Sequence, residues 1–285
     1  MKERNDMYEN FKIPSSVSVA GYRWECENPH HVVCLIHGIG EYLGRYDRMA
    51  NFLNENGIAV MGMDLRGHGL SEGTRGHAAP RVGLLSDIDS FLACAERDFP
   101  GLPIVLYGHS MGGNITLDYR IRGKNADLPK AYIISAPWIR LYRSVPRALQ
   151  KAVRQIAKIR PEFQVTSKID ETLLGNPKYV GRYYKDPLIH GSITALCASE
   201  CLEVAEKLQD NTLEGAAAGR KKPLLLMHGD SDRICAVEGS RKIAQYEENC
   251  TYIEWPGYFH EIHNGGAEAT GEEVFRAVVQ FIKEI

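Results

Sequence analysis

A serine sits between two glycines in Gly108-His109-Ser110-Met111-Gly112, behind the apolar, strand-type residues 104–107 and ahead of a helix-like stretch. On a sharp turn between strand and helix, a serine hydroxyl is pushed out at the top of a sheet, where it can attack a carbonyl. Small residues at Gly108 and Gly112 suit a strained turn in which strand and helix approach closely. The start of the helix that follows favours developing negative charge. A glycine-rich turn with a capping serine would carry the same letters. The strand before it and the helix after it are what make Ser110 a candidate nucleophile.

A serine alone is a poor nucleophile, so the chain must supply a base and a group that orients the base. On a doubly wound sheet these follow in the order serine, acid, histidine. The apolar run Pro223-Leu-Leu-Leu-Met227 ends in His228-Gly229-Asp230-Ser231-Asp232-Arg233. The next strand candidate, Thr251-Tyr-Ile-Glu-Trp255, ends in Pro256-Gly257-Tyr258-Phe259-His260-Glu261-Ile262-His263. Acid and histidine thus follow successive strands, at the sheet edge where such sites lie. Two choices stay open. Asp232 is preferred to Asp230, which follows a glycine and suits a turn cap. His260 is preferred to His263 because it lies nearer the strand end.

An attacked carbonyl also needs donors for its oxygen. One is the backbone N–H of Met111, the residue after the serine. The other should come from a loop after an early strand, and Val32-Val33-Cys34-Leu35-Ile36 leads into His37-Gly38-Ile39-Gly40-Glu41. Glycines there let the backbone turn its amides toward the substrate, and the Ile39 N–H is the choice.

The elements that must position these residues alternate between strand and helix, which predicts an α/β fold with a mostly parallel sheet and helices on both faces. Strands are expected near 32–36, 58–63, 103–107, 131–134, 223–227 and 251–255, and helices near 45–56, 81–97, 111–122, 236–247 and 267–283. Residues 16–27 read as a hairpin around Ala20-Gly21. The gap from 138 to about 210 is too long for a simple connection. It reads as a helical cap inserted between residues 1–137 and 211–285 of one α/β core, with 215–222 a flexible return.

Several segments together carry a family resemblance. They are His37-Gly-Ile-Gly-Glu41 with Gly44-Arg45-Tyr46, Asp64-Leu-Arg-Gly-His-Gly-Leu-Ser-Glu-Gly73, Asp98-Phe-Pro-Gly-Leu-Pro103, Gly108-His-Ser-Met-Gly-Gly113, Ile134-Ser-Ala-Pro137 and Gly229-Asp-Ser-Asp-Arg233. The series resembles the monoacylglycerol lipase and lysophospholipase branch of the α/β-hydrolases, from about the first strand to the C-terminus. Residues 138–200 match only loosely, mainly in Asp186-Pro187-Leu188-Ile189. The resemblance implies a triad of Ser110, Asp232 and His260. It also implies an acid, an arginine and a second histidine on the alcohol side of the pocket, matched by Glu41, Arg45 and His263, with Cys235 near the pocket wall. Ile39 stands where relatives often carry a smaller residue, which predicts a narrower mouth to that loop.

Composition narrows the function classes. The chain has 285 residues and a net charge of −2, which gives no reason to expect nucleic acid. No apolar run approaches the roughly 18 residues of a membrane span. The start, Met1-Lys-Glu-Arg-Asn-Asp6, lacks the apolar segment of a secretory signal. Seven cysteines without metal-site spacing suggest a reduced, cytoplasmic chain. His260-Glu-Ile-His263 is not H-E-x-x-H, so neither metal nor cofactor is expected. Seven basic residues and no acid lie between 140 and 160. Within 145–159, Leu149, Ala152, Val153 and Ile156 form one helical face, and Arg147, Lys151, Arg154 and Lys158 another. The apolar face is expected to pack on the core, leaving a solvated basic face; such a helix also suits an anionic membrane surface. The resulting expectation is a serine carboxylester hydrolase for single-chain lipid esters, monoacylglycerol foremost. A lysophospholipase, short-chain esterase or thioesterase of the same fold is the alternative. A non-catalytic receptor is disfavoured because no triad member is missing.

Overall fold

The computed structural model describes residues 8–285; the expectation drawn from the first six residues lies outside them. An eight-stranded sheet has the order β1-β2-β4-β3-β5-β6-β9-β10. Its strands are β1 (Tyr8–Ile13), β2 (Val19–Trp24), β3 (His31–Ile36), β4 (Ile58–Met63), β5 (Ile104–His109), β6 (Ala131–Ser135), β9 (Leu224–Gly229) and β10 (Cys250–Trp255). Pairing is parallel from β4 through β10, and antiparallel for β1 with β2 and β2 with β4. The inner strands β4, β5, β6 and β9 are buried at every residue, as their continuous apolar runs require when both faces are covered.

The two faces are read from alternate residues. Val32, Cys34 and Ile36 pack with helices α2 (Arg81–Asp98), α3 (Met111–Arg122), α6 (Ala195–Gln209) and α7 (Val237–Tyr246). Val33 and Leu35 pack on the opposite face with α1 (Asp47–Glu55) and α8 (Glu272–Lys283). After β3 the chain builds outward to β4 on one side, then returns to build β5 on the other. In open α/β sheets ligands bind at such a reversal, which here lies between the loop after β3 and the turn after β5.

Four local expectations are corrected. The hairpin turn falls at 14–18, and Gly21 lies inside β2. The Phe11 ring lies across it, and a Cβ at Gly21 would fall 2.4 Å from Phe11 Cζ. Helix α8 begins at Glu272 because Gly265 and Gly271, at φ +81° and +82°, turn the chain before it. The return at 215–222 is fastened rather than loose: the Ala217 N–H donates to Ile121 O, and Arg120 donates to the carbonyls of Arg220 and Lys222.

The fourth correction concerns the segment between β6 and β9. It carries α4 (Arg147–Ile159), the short α5 (Pro177–Val180), α6, and a two-stranded ribbon of β7 (Gln164–Thr166) and β8 (Ser192–Thr194). Helix α4 turns Gln150, Val153, Arg154 and Ala157 inward, and it packs on α6. On this side Arg154 donates to Glu206 of α6 at 2.9 Å. Of the apolar row only Val153 packs inward; Leu149 is 52% exposed and Ile156 37%, and Ile159 beyond them is 80% exposed.

Candidate active site

Ser110 occupies the turn between β5 and α3 at φ 54°, ψ −117°, a conformation that non-glycine residues rarely adopt. Close packing on both sides holds it there. A Cβ at Gly108 would lie 2.4 Å from Thr116 Oγ1, and one at Gly112 would lie 2.3 Å from Ile36 O. The turn is anchored by the Ser110 N–H to Ser135 O and by the Trp138 N–H to Ser110 O.

From this turn a relay runs through three buried side chains. Ser110 Oγ donates to His260 Nε2 at 2.8 Å, and His260 Nδ1 donates to Asp232 Oδ2 at 2.7 Å. The partners assign the tautomer: Asp232 requires the proton on Nδ1, which leaves Nε2 free to accept. Asp232 is itself held by four donors. Its Oδ1 accepts from the N–H groups of Ile234 and Cys235, and its Oδ2 also accepts from His228 Nε2 at 3.1 Å. Burial opposes its ionisation, yet the His260 charge and the histidine hydrogen bonds hold the carboxyl well below the ordinary range. Burial in turn opposes the His260 cation, but Asp232, then Glu261 and Glu41, outweigh it and raise the imidazole above its ordinary value.

Asp230 does different work. It is exposed, and its Oδ1 accepts from the Gly257 N–H and the Ser231 hydroxyl, bracing the turn. His263 is buried and stacks on Tyr46 at 4.8 Å, with His109 edge-on at 5.1 Å. Among the described residues neither of its ring nitrogens has a partner. Burial, with Arg45 and Arg48 nearby, pushes it down to about 3.

The loop after β3 closes over the serine. Gly38 lies against it, since a Cβ there would meet Ser110 Cβ at 3.0 Å. The Gly38 N–H is spent on Glu41 Oε1 at 2.7 Å. No acceptor among the described residues engages the N–H of Ile39 or of Met111. Ile39 is largely buried, and so is the Cys235 thiol. Burial and then the Asp232 charge push that thiol well above its ordinary value.

Sequence reasoning missed two participants. His228 braces Asp232 from the end of β9, its Nδ1 accepting from Ser240 Oγ at 2.7 Å. A histidine at a strand end, four residues before the acid, was the available signal. Glu261 takes a two-pronged pair from Arg45 at 2.6 and 2.8 Å. Arg45 also donates to Glu41 Oε2 at 2.6 Å, so Glu41 and Arg45 meet in a buried ion-pair network. Nothing in local spacing marks a pair 216 residues apart.

A strained serine on a strand-to-helix turn, joined to histidine and aspartate, with unengaged amides at the next residue and in the loop packed against it, can transfer acyl groups. Residues 27–266 match the hydrolase family described as serine aminopeptidase, S33. The chain belongs to this family. It is an α/β-hydrolase of the monoacylglycerol lipase and lysophospholipase branch, and a serine hydrolase. An uncharacterized abhydrolase domain-containing protein of Dictyostelium discoideum is 32% identical over 90% of this chain, which spans 26% of that protein. A monoacylglycerol lipase of Mycolicibacterium smegmatis is 31% identical over 83% of each chain. Phospholipase YtpA of Bacillus subtilis is 29% identical over 91% of this chain and 98% of its own. Among solved structures, a soluble variant of Saccharomyces cerevisiae monoglyceride lipase, in complex with a substrate analog, superposes with TM-score 0.83. It is 25% identical, over 98% of this chain and 95% of that one. The family description names an aminopeptidase, whereas the relatives include a monoacylglycerol lipase and a phospholipase, so membership points to acyl transfer and leaves the leaving group to the site.

Proposed function

We propose that this chain is a serine carboxylester hydrolase of single-chain lipid esters, monoacylglycerol foremost, working through an acyl-enzyme on Ser110. The observation that carries the reading is the unbroken relay from Ser110 through His260 to Asp232, beside the unengaged Ile39 and Met111 amides. In this mechanism His260 Nε2 takes the Ser110 proton as Oγ bonds to the ester carbon. The carbonyl oxygen becomes an oxyanion held by the two amides. His260 then gives its proton to the departing alcohol as the ester C–O bond breaks. Water repeats the sequence, releasing the fatty acid and restoring the serine. Asp232 keeps the tautomer and offsets the imidazolium charge.

Glu41, Arg45, His263 and Cys235 are assigned to the alcohol side of the pocket. His263 offers unpartnered nitrogens to a glycerol hydroxyl, while Glu41 and Arg45 shape the wall through their mutual pair. Residues 138–210 are assigned as a cap over the core. Ser110 is only 4% exposed. Peripheral contact with an anionic membrane is assigned to α4. Support comes from its outward apolar row, continued by Phe163 at 45% exposure, and from the exposed cations Arg147, Lys151 and Lys158 beside it. No helix among the described residues is long and apolar enough to cross a membrane.

The test is a fluorophosphonate label followed by a substrate panel. Wild type should label and Ser110→Ala should not, with turnover down by several orders of magnitude in a folded protein. Monoacylglycerol should give a higher kcat/KM than lysophospholipid or short p-nitrophenyl esters. Turnover by Ser110→Ala refutes the chemistry. A lysophospholipid ranked first refutes the substrate and supports the alternative.

A further inference from the structure

The loop that offers Ile39 and the loop that carries His260 are far apart in sequence, and one largely buried arginine joins them. Arg45 stands on the 3-10 turn Leu43–Tyr46, directly after the glycine-rich loop. It donates to Glu41 Oε2 on one side and grips both oxygens of Glu261 on the other. Glu41 Oε1 in turn accepts from the Gly38 N–H at 2.7 Å and the Tyr46 hydroxyl at 3.0 Å. Gly38 therefore has its peptide orientation fixed by a chain of contacts that ends on the residue next to His260. The far end is fastened too: Asn264 Nδ2 donates to Glu261 Oε2 at 2.7 Å, and the Glu261 N–H donates to Leu174 O at 2.6 Å. The Tyr183 ring lies over the Arg45 guanidinium at 4.5 Å.

The trio has two carboxylates and one cation, so it brings a surplus negative charge to a buried place. Burial works against the Glu261 anion, but Arg45, then His263 and Asn264, hold its carboxyl down to about 2. Burial and the Glu261 charge push Glu41 up against the pull of Arg45. Three donors still point at its two oxygens, an arrangement that suits the ionised form.

We propose that Glu261 is a positioning residue for the hydrolysis. Through Arg45 it locks the glycine-rich loop to the His260 loop, and its charge supports the imidazolium that forms in the reaction. The proposal rests on the assignment of His260 as the base. The groups facing that imidazole are Asp232 from the loop after β9, His109 and Ser110 from the β5 turn, Glu41 and Arg45 from beyond β3, and Glu261 and His263 from its own loop. Of these, Glu261 can be neutralised while keeping its shape and leaving Arg45 paired with Glu41.

The experiment is the pH profile of kcat/KM on a soluble ester, for wild type, Glu261→Gln and the double variant Arg45→Gln with Glu261→Gln. Loss of a neighbouring negative charge makes His260 easier to deprotonate. The acid limb of Glu261→Gln should therefore move to lower pH by roughly half a unit or more. The double variant removes one charge of each sign, so its limb should return toward wild type. Its kcat should stay about tenfold or more below wild type because the lock is gone. A packing role alone would lower activity without this sign pattern. An unmoved limb in Glu261→Gln overturns the proposal. If that variant does not fold, a double variant with a displaced limb or wild-type kcat overturns it. A wild-type profile with no acid limb would instead sink the assignment of His260.

Discussion

The outward apolar row of α4 yields a prediction whose size can be worked from exposure. Burying a whole leucine or isoleucine side chain is worth about 2 kcal/mol. Leu149 is 52% exposed and Ile159 80%, so inserting both into a lipid interface can return about 2.5 kcal/mol. The double variant Leu149→Ser with Ile159→Ser should then partition onto vesicles roughly 70-fold more weakly. Its fold should be little affected, because both side chains already stand in water. A second variant isolates charge. Lys151→Glu with Lys158→Glu removes two cations worth about 1 kcal/mol each at an anionic surface and adds repulsion of similar size. Arg154 is left alone, since Glu206 already pairs with it. Flotation with phosphatidylserine-containing and neutral vesicles reads both. The charge variant should lose binding only to anionic vesicles, and the difference should shrink as salt shortens the screening length. The serine variant should lose binding to both kinds at any salt. A soluble short-chain ester should be hydrolysed at the wild-type rate throughout. Unchanged flotation of the serine variant would refute the reasoning and leave the row as ordinary exposed surface.

Two further outcomes are expected. Asp232→Asn removes the acceptor that sets the His260 tautomer and should lower kcat by about 10^4-fold, whereas Asp230→Asn, which touches only a turn, should stay within about tenfold; turnover assays with the reverse ranking would exchange their roles. Stability should fall with acidification below the ordinary histidine range. His37 and His263 are both held down to about 3, chiefly by burial, so between pH 6.5 and about 3 the unfolded chain binds protons that the folded chain does not. Each contributes stability that is present above that window and lost within it by up to about 1.4 kcal/mol per pH unit. Urea melts at pH 7 and pH 5 would expose the sign, and greater stability at pH 5 would contradict it.

The sheet was legible because buried parallel strands are continuous apolar runs, and 104–107, 131–134 and 223–227 could hardly be anything else. The stretches carrying Ser110, Asp232 and His260 were legible for a related reason. Each follows such a run directly, so the end of the sheet gathers them without any long-range guess. The inward face of α4 was not legible. Periodicity reveals that a helix has an apolar stripe, but which stripe packs depends on the partner, and α6 presents Glu206 to Arg154. The Arg45–Glu261 pair was hidden for the same cause, since the sequence names two charges and tertiary structure alone decides that they meet.

Replacing buried ion pairs by well-packed apolar groups is often neutral or stabilising, so the Glu41–Arg45–Glu261 trio is weak evidence for a stability role. Its location tells more. One end meets the peptide of Gly38, against Ser110, and the other meets the chain beside His260. Other unusual features share this address: Ser110 at positive φ, an aspartate with four donors, and two backbone amides without acceptors among the described residues. The strained serine and the unengaged amides are unfavourable for folding, whereas the depressed aspartate carboxyl favours it, and all of them are already set in the arrangement that the proposed ester chemistry calls for. Donors arranged before substrate arrives need no reorganisation when charge develops, which is where a serine hydrolase gains most of its rate. In the proposed mechanism the lock between the loops belongs with these features, since amides that drifted by an ångström would no longer meet the oxyanion assigned to them.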